Sequence, residues 1–335
     1  MPSSDPALIC LTPVRNEAWI LERFLRCARL WADHIVVVDH CSTDGSREIA
    51  REFPKVTLVE YDKTSFDEPE RRRLLIETAR SLEPDRRRIL LALDADEAFT
   101  RWDTAPGWTD MLSAAPGTTI TTQWANVLPG CSRCWLDKYV ASGYVDDGRP
   151  FDTCAIHGDR VPSAPDGPRL NLEKVKLLHY QYADWDRMKS KQRWYQVWEC
   201  IHHPQKRAVL LYRQYHQMDT VAPEDTRDIP CDWLTPYTEA GIDLSHVKHE
   251  PVYRWDREVV EMLLTHGPTP FRKVDIWNVD WTKMGRRFGY KTNGELADPR
   301  SSLDRAIHRW LQRTQPHATK LSVRLLQKSP QMIGW

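Results

Sequence analysis

Two carboxylates directly follow a run of apolar residues that is typical of a buried strand. Residues 89–93 read Ile-Leu-Leu-Ala-Leu, and Asp94, Asp96 and Glu97 come next, with one alanine between the two aspartates. Side chains two apart on an extended chain point the same way, so Asp94 and Asp96 would lie on one side. Carboxylates this close repel each other unless a cation lies between them, and hard oxygen ligands select Mg²⁺ or Mn²⁺. The pattern predicts a divalent-metal site open to phosphate oxygens; the alternative is a strand end with solvated acids.

A sheet would position these acids, and its other strands can be predicted upstream. Apolar runs at 7–12, 35–38 and 56–60 are typical of buried strands, and the patterns at 20–31 and 70–80 predict helices between them. This alternation predicts an α/β fold with a mostly parallel, Rossmann-type sheet flanked by helices. Ligands of such sheets bind beyond the carboxyl ends of the strands, where the acids stand. No glycine-rich phosphate loop follows the first run, so the sequence does not favour a dinucleotide-binding or P-loop protein.

Three polar segments at the ends of these strands resemble the ordered signatures of family 2 glycosyltransferases. They are Thr-Pro-Val-Arg-Asn-Glu at 12–17, Asp39 with Ser-Thr-Asp-Gly-Ser at 42–46, and Leu-Asp-Ala-Asp-Glu at 93–97. The resemblance extends over about residues 7–100 and implies a GT-A-like fold. It also implies a metal-dependent, inverting glycosyltransferase of the hexosyltransferase type. Such an enzyme moves a sugar from a nucleoside diphosphate sugar to a hydroxyl acceptor, which is a glycan, a lipid-linked glycan or a small molecule.

By this resemblance, seven residues bind the donor and its metal ion, Mn²⁺ or Mg²⁺. They are Thr12, Pro13 and Glu17 in the nucleoside pocket, Asp39 at the base or ribose, Arg72 at the nucleotide, Asp94 on the ribose side and Asp96 as direct metal ligand. Asp39 has an alternative role in turn chemistry, because Asp and Ser side chains close Asx turns and cap helices. Loss of turnover with the pocket retained would instead give a nucleotide-sugar-binding protein of the same fold.

A histidine far downstream often completes the metal site of GT-A transferases, and His179 is the candidate here. It follows the apolar strand pattern at 175–178, and imidazole is a sound ligand for Mn²⁺. The alternative is a structural histidine that donates to a backbone carbonyl. Four other histidines are rivals for the metal role: His157, His202, His203 and His216.

An inverting transferase needs a general base, usually a carboxylate, that takes the proton of the acceptor hydroxyl. The resemblance implies that this base follows the metal motif, and the segment 143–152 carries three acids among glycine and proline punctuation. Loops on a rigid scaffold commonly carry catalytic groups. Asp147 is the predicted base, with Asp146 and Asp152 as alternatives; all three acids could instead only close turns.

Composition excludes several classes of protein. The net charge is +0 and the chain has 335 residues with 41% hydrophobic content, so it can fill a core and lacks a general nucleic-acid footprint. No apolar stretch is long enough for a transmembrane span, and no signal peptide pattern occurs. Eight cysteines, some of them within predicted strands and helices, suit a reduced cytoplasmic protein. A basic amphipathic pattern at 303–313 also permits peripheral contact with the inner face of a membrane.

The amino-acid composition changes after the acidic motif, where Trp, Tyr and His become frequent. We predict a donor-binding half at 1–125, an acceptor-binding and metal-completing half at 126–220, and a mainly helical, aromatic-rich extension at 221–335. The first two would together form one GT-A domain.

Overall fold

The structure is a computed structural model, and it describes residues 5–63, 67–151, 158–162, 166–327, 329–330 and 334–335. Its contacts divide the chain into two compact units. Unit 1 comprises Met1–Asp184 and Arg227–His249, and unit 2 comprises Trp185–Thr226 and Glu250–Trp335. The assignment of donor and acceptor halves to 1–125 and 126–220 stays a prediction.

Unit 1 is built on one twisted sheet. Its strands are β1 (Ala7–Val14), β2 (His34–His40), β3 (Val56–Tyr61), β4 (Arg88–Ala92), β5 (Glu97–Phe99), β6 (Thr119–Val127), β7 (Arg133–Val145), β8 (Arg169–His179) and the short β9 (Thr226–Asp228). The order is β3-β2-β1-β4-β7-β6-β8-β5, and β9 pairs with β7. Strands β1 to β4 are parallel to one another, as are β6 and β8, whereas β7 and β5 run antiparallel to their neighbours. The predicted α/β fold with a mostly parallel sheet is confirmed.

The central strands are continuous apolar runs because both faces of the sheet are covered. One face packs on α1 (Leu21–Ala28), α2 (Ser46–Arg51) and α4 (Pro106–Ser113), and the other packs on α3 (Glu68–Leu82). Alternate residues of β2 enter the two layers, so Val37 joins the first core and Val38 the second. Helix α3 begins where its first turn is capped, because the Asp67 carboxylate accepts from the backbone N–H of Glu70 at 3.0 Å.

Unit 2 is mainly helical. Its helices are α5 (Trp185–His202), α6 (Ala208–Tyr215), α8 (Arg254–His266), α9 (Trp281–Arg287), α10 (Ser302–Thr314) and α11 (Leu321–Leu326); α7 (Thr235–Glu239) belongs to unit 1. Aromatic rings dominate its core, with Trp194, Trp255, Trp277 and Trp281 all buried in one cluster. The predicted helical, aromatic-rich C-terminal extension is therefore confirmed as a fold feature.

Across the described ranges, none of the helices combines the length and apolar character needed to cross a bilayer.

The structure corrects the prediction that Asp147 is the general base. Strand β7 runs antiparallel to β4, with Val145 opposite Ile89, so the residues after β7 lie at the amino end of β4. The acidic motif follows the carboxyl end of β4, at the far edge of the sheet. Asp147 is instead held locally, because its carboxylate accepts from the Arg149 guanidinium at 2.7 Å and from the Tyr144 hydroxyl at 2.5 Å. Asp152, one alternative, lies outside the described residues.

The other alternative, Asp146, is also engaged at the amino end of β4. Its side chain is fully buried and forms ion pairs with Arg80 at 2.8 Å and Arg88 at 3.0 Å. Its backbone N–H donates to the Arg88 carbonyl, which continues the pairing of β7 with β4. Asp146 therefore ties α3 and β4 to the end of β7.

We predict that Asp147→Asn lowers stability in a pH-dependent way. Burial acts to raise the pKa of Asp147, but hydrogen bonds from Arg149 and Tyr144 outweigh it and lower the pKa to about 2. A depressed folded-state pKa contributes stability above the unfolded-state value and loses it as pH falls toward the folded-state value. Urea unfolding should show a deficit of about 1–2 kcal/mol at neutral pH, which solvent screening keeps at the lower end. The deficit should shrink between about pH 4 and pH 2. The exposed loop acid Asp85 gives the control Asp85→Asn, and an equal deficit there, or one independent of pH, would contradict the assignment.

Candidate functional site

The acidic motif forms a tight turn around the buried side chain of Glu97. The Glu97 side chain is fully buried, and its Oε2 accepts from the backbone N–H of Asp94 at 2.9 Å. Its Oε1 accepts from the indole N–H of Trp124 on β6 at 2.7 Å. Strand β5 starts at Glu97 and pairs with β8, which places Glu97 opposite His179. The turn is thus fastened to β6 and β8, and it fixes where Asp94 and Asp96 stand.

Arg160 completes this turn, although the sequence offered no periodic or motif signal for it. Its guanidinium donates to both oxygens of Glu97, at 2.6 and 3.0 Å, and to Oδ2 of Asp94 at 2.6 Å. The guanidinium also lies over the Trp124 ring, 5.3 Å from its centroid. Burial acts to lower the pKa of Arg160, but the charges of Asp94 and Glu97 raise it further, so the guanidinium stays charged. Arg160 therefore supplies the positive charge that the paired acids require.

The predicted metal ligands Asp96 and His179 lie side by side. The Nε2 of His179 is 3.9 Å from Oδ2 of Asp96, and both side chains are largely buried. Strand β8 ends at His179, and the next residue donates its backbone N–H to the Asp96 carbonyl at 2.8 Å. The His179 ring stacks on Trp124 with centroids 5.1 Å apart. Pairing of β5 with β8 thus brings together two residues that are distant in the chain.

A hydrogen-bonded chain extends from His179 to an exposed acid. Nδ1 of His179 is 2.8 Å from Oδ1 of Asn126, which is its register partner on β6. The Asn126 amide nitrogen in turn donates to Oδ2 of Asp137 on β7 at 3.3 Å. Because Oδ1 of Asn126 can only accept, Nδ1 of His179 carries the proton and Nε2 faces Asp96. This arrangement leaves Nε2 on the side of Asp96 as the ring nitrogen that could bind a metal ion.

The metal site is not closed by protein atoms alone. Within the part of the chain that the structure describes, no group of three or more His, Cys, Asp or Glu side chains is arranged to hold a metal ion. Asp96 and His179 supply one carboxylate and one imidazole, a donor set that suits Mn²⁺.

The loop after β1 is anchored to the loop after β2. Asn16 has a left-handed backbone, with φ of 56°, and its N–H donates to the Ser42 hydroxyl at 2.9 Å. The N–H of Glu17 donates to the Ser46 hydroxyl at 2.9 Å, and Oε2 of Glu17 accepts from the Trp19 indole at 2.6 Å. The two loops therefore form one rim at the carboxyl ends of β1 and β2. Glu17 helps to shape this rim through the hydrogen bond that it accepts from the Trp19 indole.

Asp39, at the end of β2, is buried, and among the described residues only one of its two carboxylate oxygens accepts hydrogen bonds. Its Oδ1 accepts from the Ser42 N–H at 3.1 Å and from the Arg47 guanidinium. Arg47 also pairs with Glu60 at 2.9 Å and Asp62 at 3.2 Å, so it ties α2 to β3. Oδ2 of Asp39 has no hydrogen-bond partner among the described residues.

Two more buried polar atoms near this rim lack partners in the described ranges of the chain. One is the hydroxyl of Thr12 on β1, which neighbours β2 through the pairing of Thr12 with Val37. The other is Nδ1 of His40. Nε2 of His40 faces the Lys63 carbonyl at 2.7 Å, and burial, with the charge of Arg71, lowers the pKa of His40. The ring is therefore neutral, with Nδ1 as a bare acceptor.

On helix α3, Arg71, the neighbour of the predicted Arg72, interacts electrostatically with the acidic motif. Arg72 is engaged by Glu68 one turn earlier, at 2.8 Å. Burial lowers the pKa of Arg71, and the charges around it include Glu68, Arg15 and Asp94. Arg71 therefore lies within electrostatic range of the first acid of the motif. The role of Arg72 at the nucleotide stays a prediction; consecutive helical side chains point about 100° apart, and the sequence does not fix the rotation of the helix, so it could not distinguish Arg71 from Arg72.

Of the predicted donor-site residues, the structure thus places one set around the carboxyl ends of β1, β2 and β4. This set comprises Thr12, Pro13, Glu17, Asp39, Asp94, Asp96 and, through β8, His179. Arg72 and Asp147 lie outside it. The residues that the sequence did not single out are Arg15, His40, Arg71, Asn126, Asp137 and Arg160.

Comparison with known proteins gives a family match for part of the chain. The model of the family described as Glycosyl transferase family 2 matches residues 10–101. No curated protein matches the chain.

Solved structures match only loosely. A glucosyl-3-phosphoglycerate synthase from Mycobacterium tuberculosis, in complex with Mn²⁺, UDP and phosphoglyceric acid, is 18% identical with a TM-score of 0.26, covering 36% of this chain and 43% of that one. A 4-diphosphocytidyl-2C-methyl-D-erythritol synthase is 15% identical with a TM-score of 0.28, covering 43% and 74%. A mycobacterial protein is 18% identical with a TM-score of 0.26, covering 37% and 42%. This chain spans less than half the length of two of the three structures. With TM-scores this low, none of the three supports a conclusion about this protein.

The matched segment contains the second half of β1, all of β2 to β5, and the three motifs. The resemblance drawn from those motifs is confirmed: residues 10–101 match the glycosyl transferase family 2 model.

Proposed function

We propose that this protein is a metal-dependent, inverting glycosyltransferase, of the hexosyltransferase type, that moves a sugar from a nucleoside diphosphate sugar to a hydroxyl acceptor. The observation that carries the proposal is the pairing of Asp96 with His179, 3.9 Å apart, at the end of a motif turn within the family 2 segment. An acid and an imidazole brought together there have a ready use as ligands of Mn²⁺ or Mg²⁺.

The nucleoside half of the donor would occupy the rim at the ends of β1 and β2. Thr12 Oγ1, Asp39 Oδ2 and His40 Nδ1 are buried there without partners in the described part of the protein. A buried polar atom left without a partner costs about 1–3 kcal/mol, so hydrogen bonds from a base or ribose would recover that cost on binding. The set has acceptors at Asp39 and His40 and a donor at Thr12, which suits the mixed edges of a nucleobase and a ribose.

The diphosphate would lie between the arginines of α3 and of the loop after β1 and the acids of the motif. Arg71 interacts electrostatically with both Arg15 and Asp94, and Arg160 is bound to Asp94. Guanidinium groups bind phosphate oxygens in paired, charge-assisted hydrogen bonds. Asp96 and His179 would hold the divalent ion, whose chemistry is to offset the negative charge that the departing diphosphate gains.

The acceptor hydroxyl needs a base on this side of the sheet, and we assign that role to Asp137. It is exposed, and Asn126 links its carboxylate to His179 at 3.3 and 2.8 Å. A carboxylate in this position can accept a proton from a hydroxyl that reaches the site. Asp147 is excluded because it lies at the opposite end of β4.

The first prediction concerns the metal ion. Binding of nucleoside diphosphates (UDP, GDP, CDP, ADP and dTDP) should be measured by calorimetry in Mn²⁺ and in EDTA. At least one should bind more tightly in Mn²⁺, and Asp96→Asn should reduce that gain by at least about tenfold, since one ligand is removed. The control Asp85→Asn should keep it. Equal affinity in Mn²⁺ and EDTA for every nucleotide would refute the proposed function.

A second prediction compares two neighbouring arginines on α3. Arg71→Met should weaken nucleoside diphosphate binding by about tenfold, because charge-assisted hydrogen bonds to phosphate are lost. Arg72→Met should leave affinity nearly unchanged while lowering the melting temperature, because it removes the pair with Glu68. If both variants lose the same affinity, the effect reflects damage to α3 and the assignment of Arg71 fails.

The third prediction separates catalysis from binding at Asp137. With water as acceptor, the release of nucleoside diphosphate from a bound nucleotide sugar should slow by about 10²–10⁴-fold in Asp137→Asn. Donor affinity should stay at the wild-type value, since the base does not touch the donor. The matched variant Asp147→Asn should turn over normally. A normal rate in Asp137→Asn would place the base elsewhere, and loss of binding would make Asp137 a donor contact.

A further inference from the structure

Unit 2 contains a cleft of its own that the proposed reaction does not use. It has a volume of about 290 Å³ and is formed by α5, α6, α10 and the segments that follow α6 and precede α9. Small-molecule sites begin near 300 Å³, so the cleft has room for one small ring and its substituents.

Amide side chains converge on this cleft. Gln196 on α5 is only 2% exposed, yet the side-chain hydrogen bond that it forms within the described residues is a long one, from Nε2 to the Gln192 carbonyl at 3.4 Å. Burying an amide without good partners is costly, so a ligand that bonds to it would be stabilising. Asn278 and Gln312, both exposed, add two more amides at the rim. Each amide supplies a donor and an acceptor.

Aromatic rings form rigid walls beside these amides. The Tyr212 ring stacks on His216 with centroids 3.9 Å apart and planes 7° apart. The Tyr215 ring stacks on Tyr195 at 5.5 Å and 10°. Trp185, at the start of α5, adds a third ring to the lining. Tyr212 and Tyr215 are only 3% and 4% exposed and form the back of the wall, whereas Trp185 is partly exposed and offers its ring to the cleft. An ordered ring gives apolar contact area at little cost in conformational entropy, which suits the C–H face of a ring-shaped ligand.

The charged groups in the cleft are largely compensated inside unit 2. Arg193 pairs with Asp256 at 2.9 Å, and His216 pairs with Asp275 at 3.1 Å. An anionic ligand would meet the carboxylate of Asp275, and a cationic one would meet the guanidinium of Arg193. Neither sign of charge is favoured by this arrangement.

The two remaining charges are also opposite in sign. Lys189 lies 3.7 Å from Asp186 on its own helix, and Asp219 is exposed at the edge of the lining. A purely apolar ligand would leave the Gln196 amide buried without a partner, which is unfavourable. A neutral ligand with many hydroxyl groups carries no charge that these groups would repel, and it can form hydrogen bonds with the Gln196 amide.

We infer that this cleft binds a single neutral sugar residue, with hydroxyl groups on the amides of Gln196 and Asn278 and a ring face on the aromatic wall. The site is separate from the donor site and holds its sugar without reacting. It would give the protein a hold on a glycan that is independent of nucleotide and metal.

The test is ligand-observed NMR titration of the full-length protein with methyl glycosides of glucose, galactose, mannose and N-acetylglucosamine, in EDTA and without nucleotide. At least one glycoside should bind saturably. Gln196→Met, which keeps the length of the side chain and removes the amide, should weaken it by about tenfold. Asn278→Ala should weaken it several-fold, and because Asn278 is exposed this variant keeps the fold. Melting temperatures report on folding of both variants.

Asp96→Asn is the control, because it disables the donor site and should leave glycoside binding unchanged. Binding that is lost in Asp96→Asn and kept in both cleft variants would put the sugar in the donor site and overturn the inference. So would the absence of saturable binding by every glycoside, or unchanged affinity in both cleft variants. Failure of metal-linked nucleotide binding would instead refute the proposed function and leave this site standing.

Discussion

The buried carboxylate of Glu97 holds together the acidic motif that follows β4. Glu97 has no exposed side-chain area, and a charge in that position is strongly unfavourable unless it is paired and hydrogen-bonded. Three kinds of donor meet it: the backbone N–H of Asp94, the Trp124 indole and the Arg160 guanidinium. Each donor comes from a different part of the chain. The geometry of Asp94 and Asp96 therefore depends on Glu97, even though neither of its oxygens is left open for a ligand.

The same centre shows how the protein manages opposite charges in a small space. Asp94 shares the Arg160 guanidinium with Glu97, and Arg71 lies within range on the helix side. Such a site suits a ligand that itself carries both signs, for example a diphosphate with a divalent ion. Unit 2 differs, since Arg193 and His216 in its cleft are paired within the unit and neutral amides stand beside them.

Local patterns in the sequence predicted the parallel half of the sheet well. Uninterrupted apolar runs mark β1, β2 and β4 because both faces of these strands are covered, and the polar segments after them fall at one edge. The antiparallel strand β7 was not predicted, because its middle is exposed and interrupts the apolar pattern, and because a glycine near its end and the acids that follow it are typical of a loop. That omission put Asp147 on the wrong edge of the sheet. Arg160 and Asn126 could not be predicted, since only long-range pairing gives them partners.

Pairing of β5 with β8 has a consequence for how the protein reaches its native state. Glu97 and His179 are register partners, although the chain between them forms α4, β6 and β7 before it returns. Contacts of such long sequence separation pay their loop-closure entropy before they gain stability, so they form late in folding. The acidic motif, although it is short and local in sequence, cannot acquire its geometry while the nascent chain ends before β8. We therefore expect the candidate site to form among the last folding events of unit 1, after β8 has paired with β5.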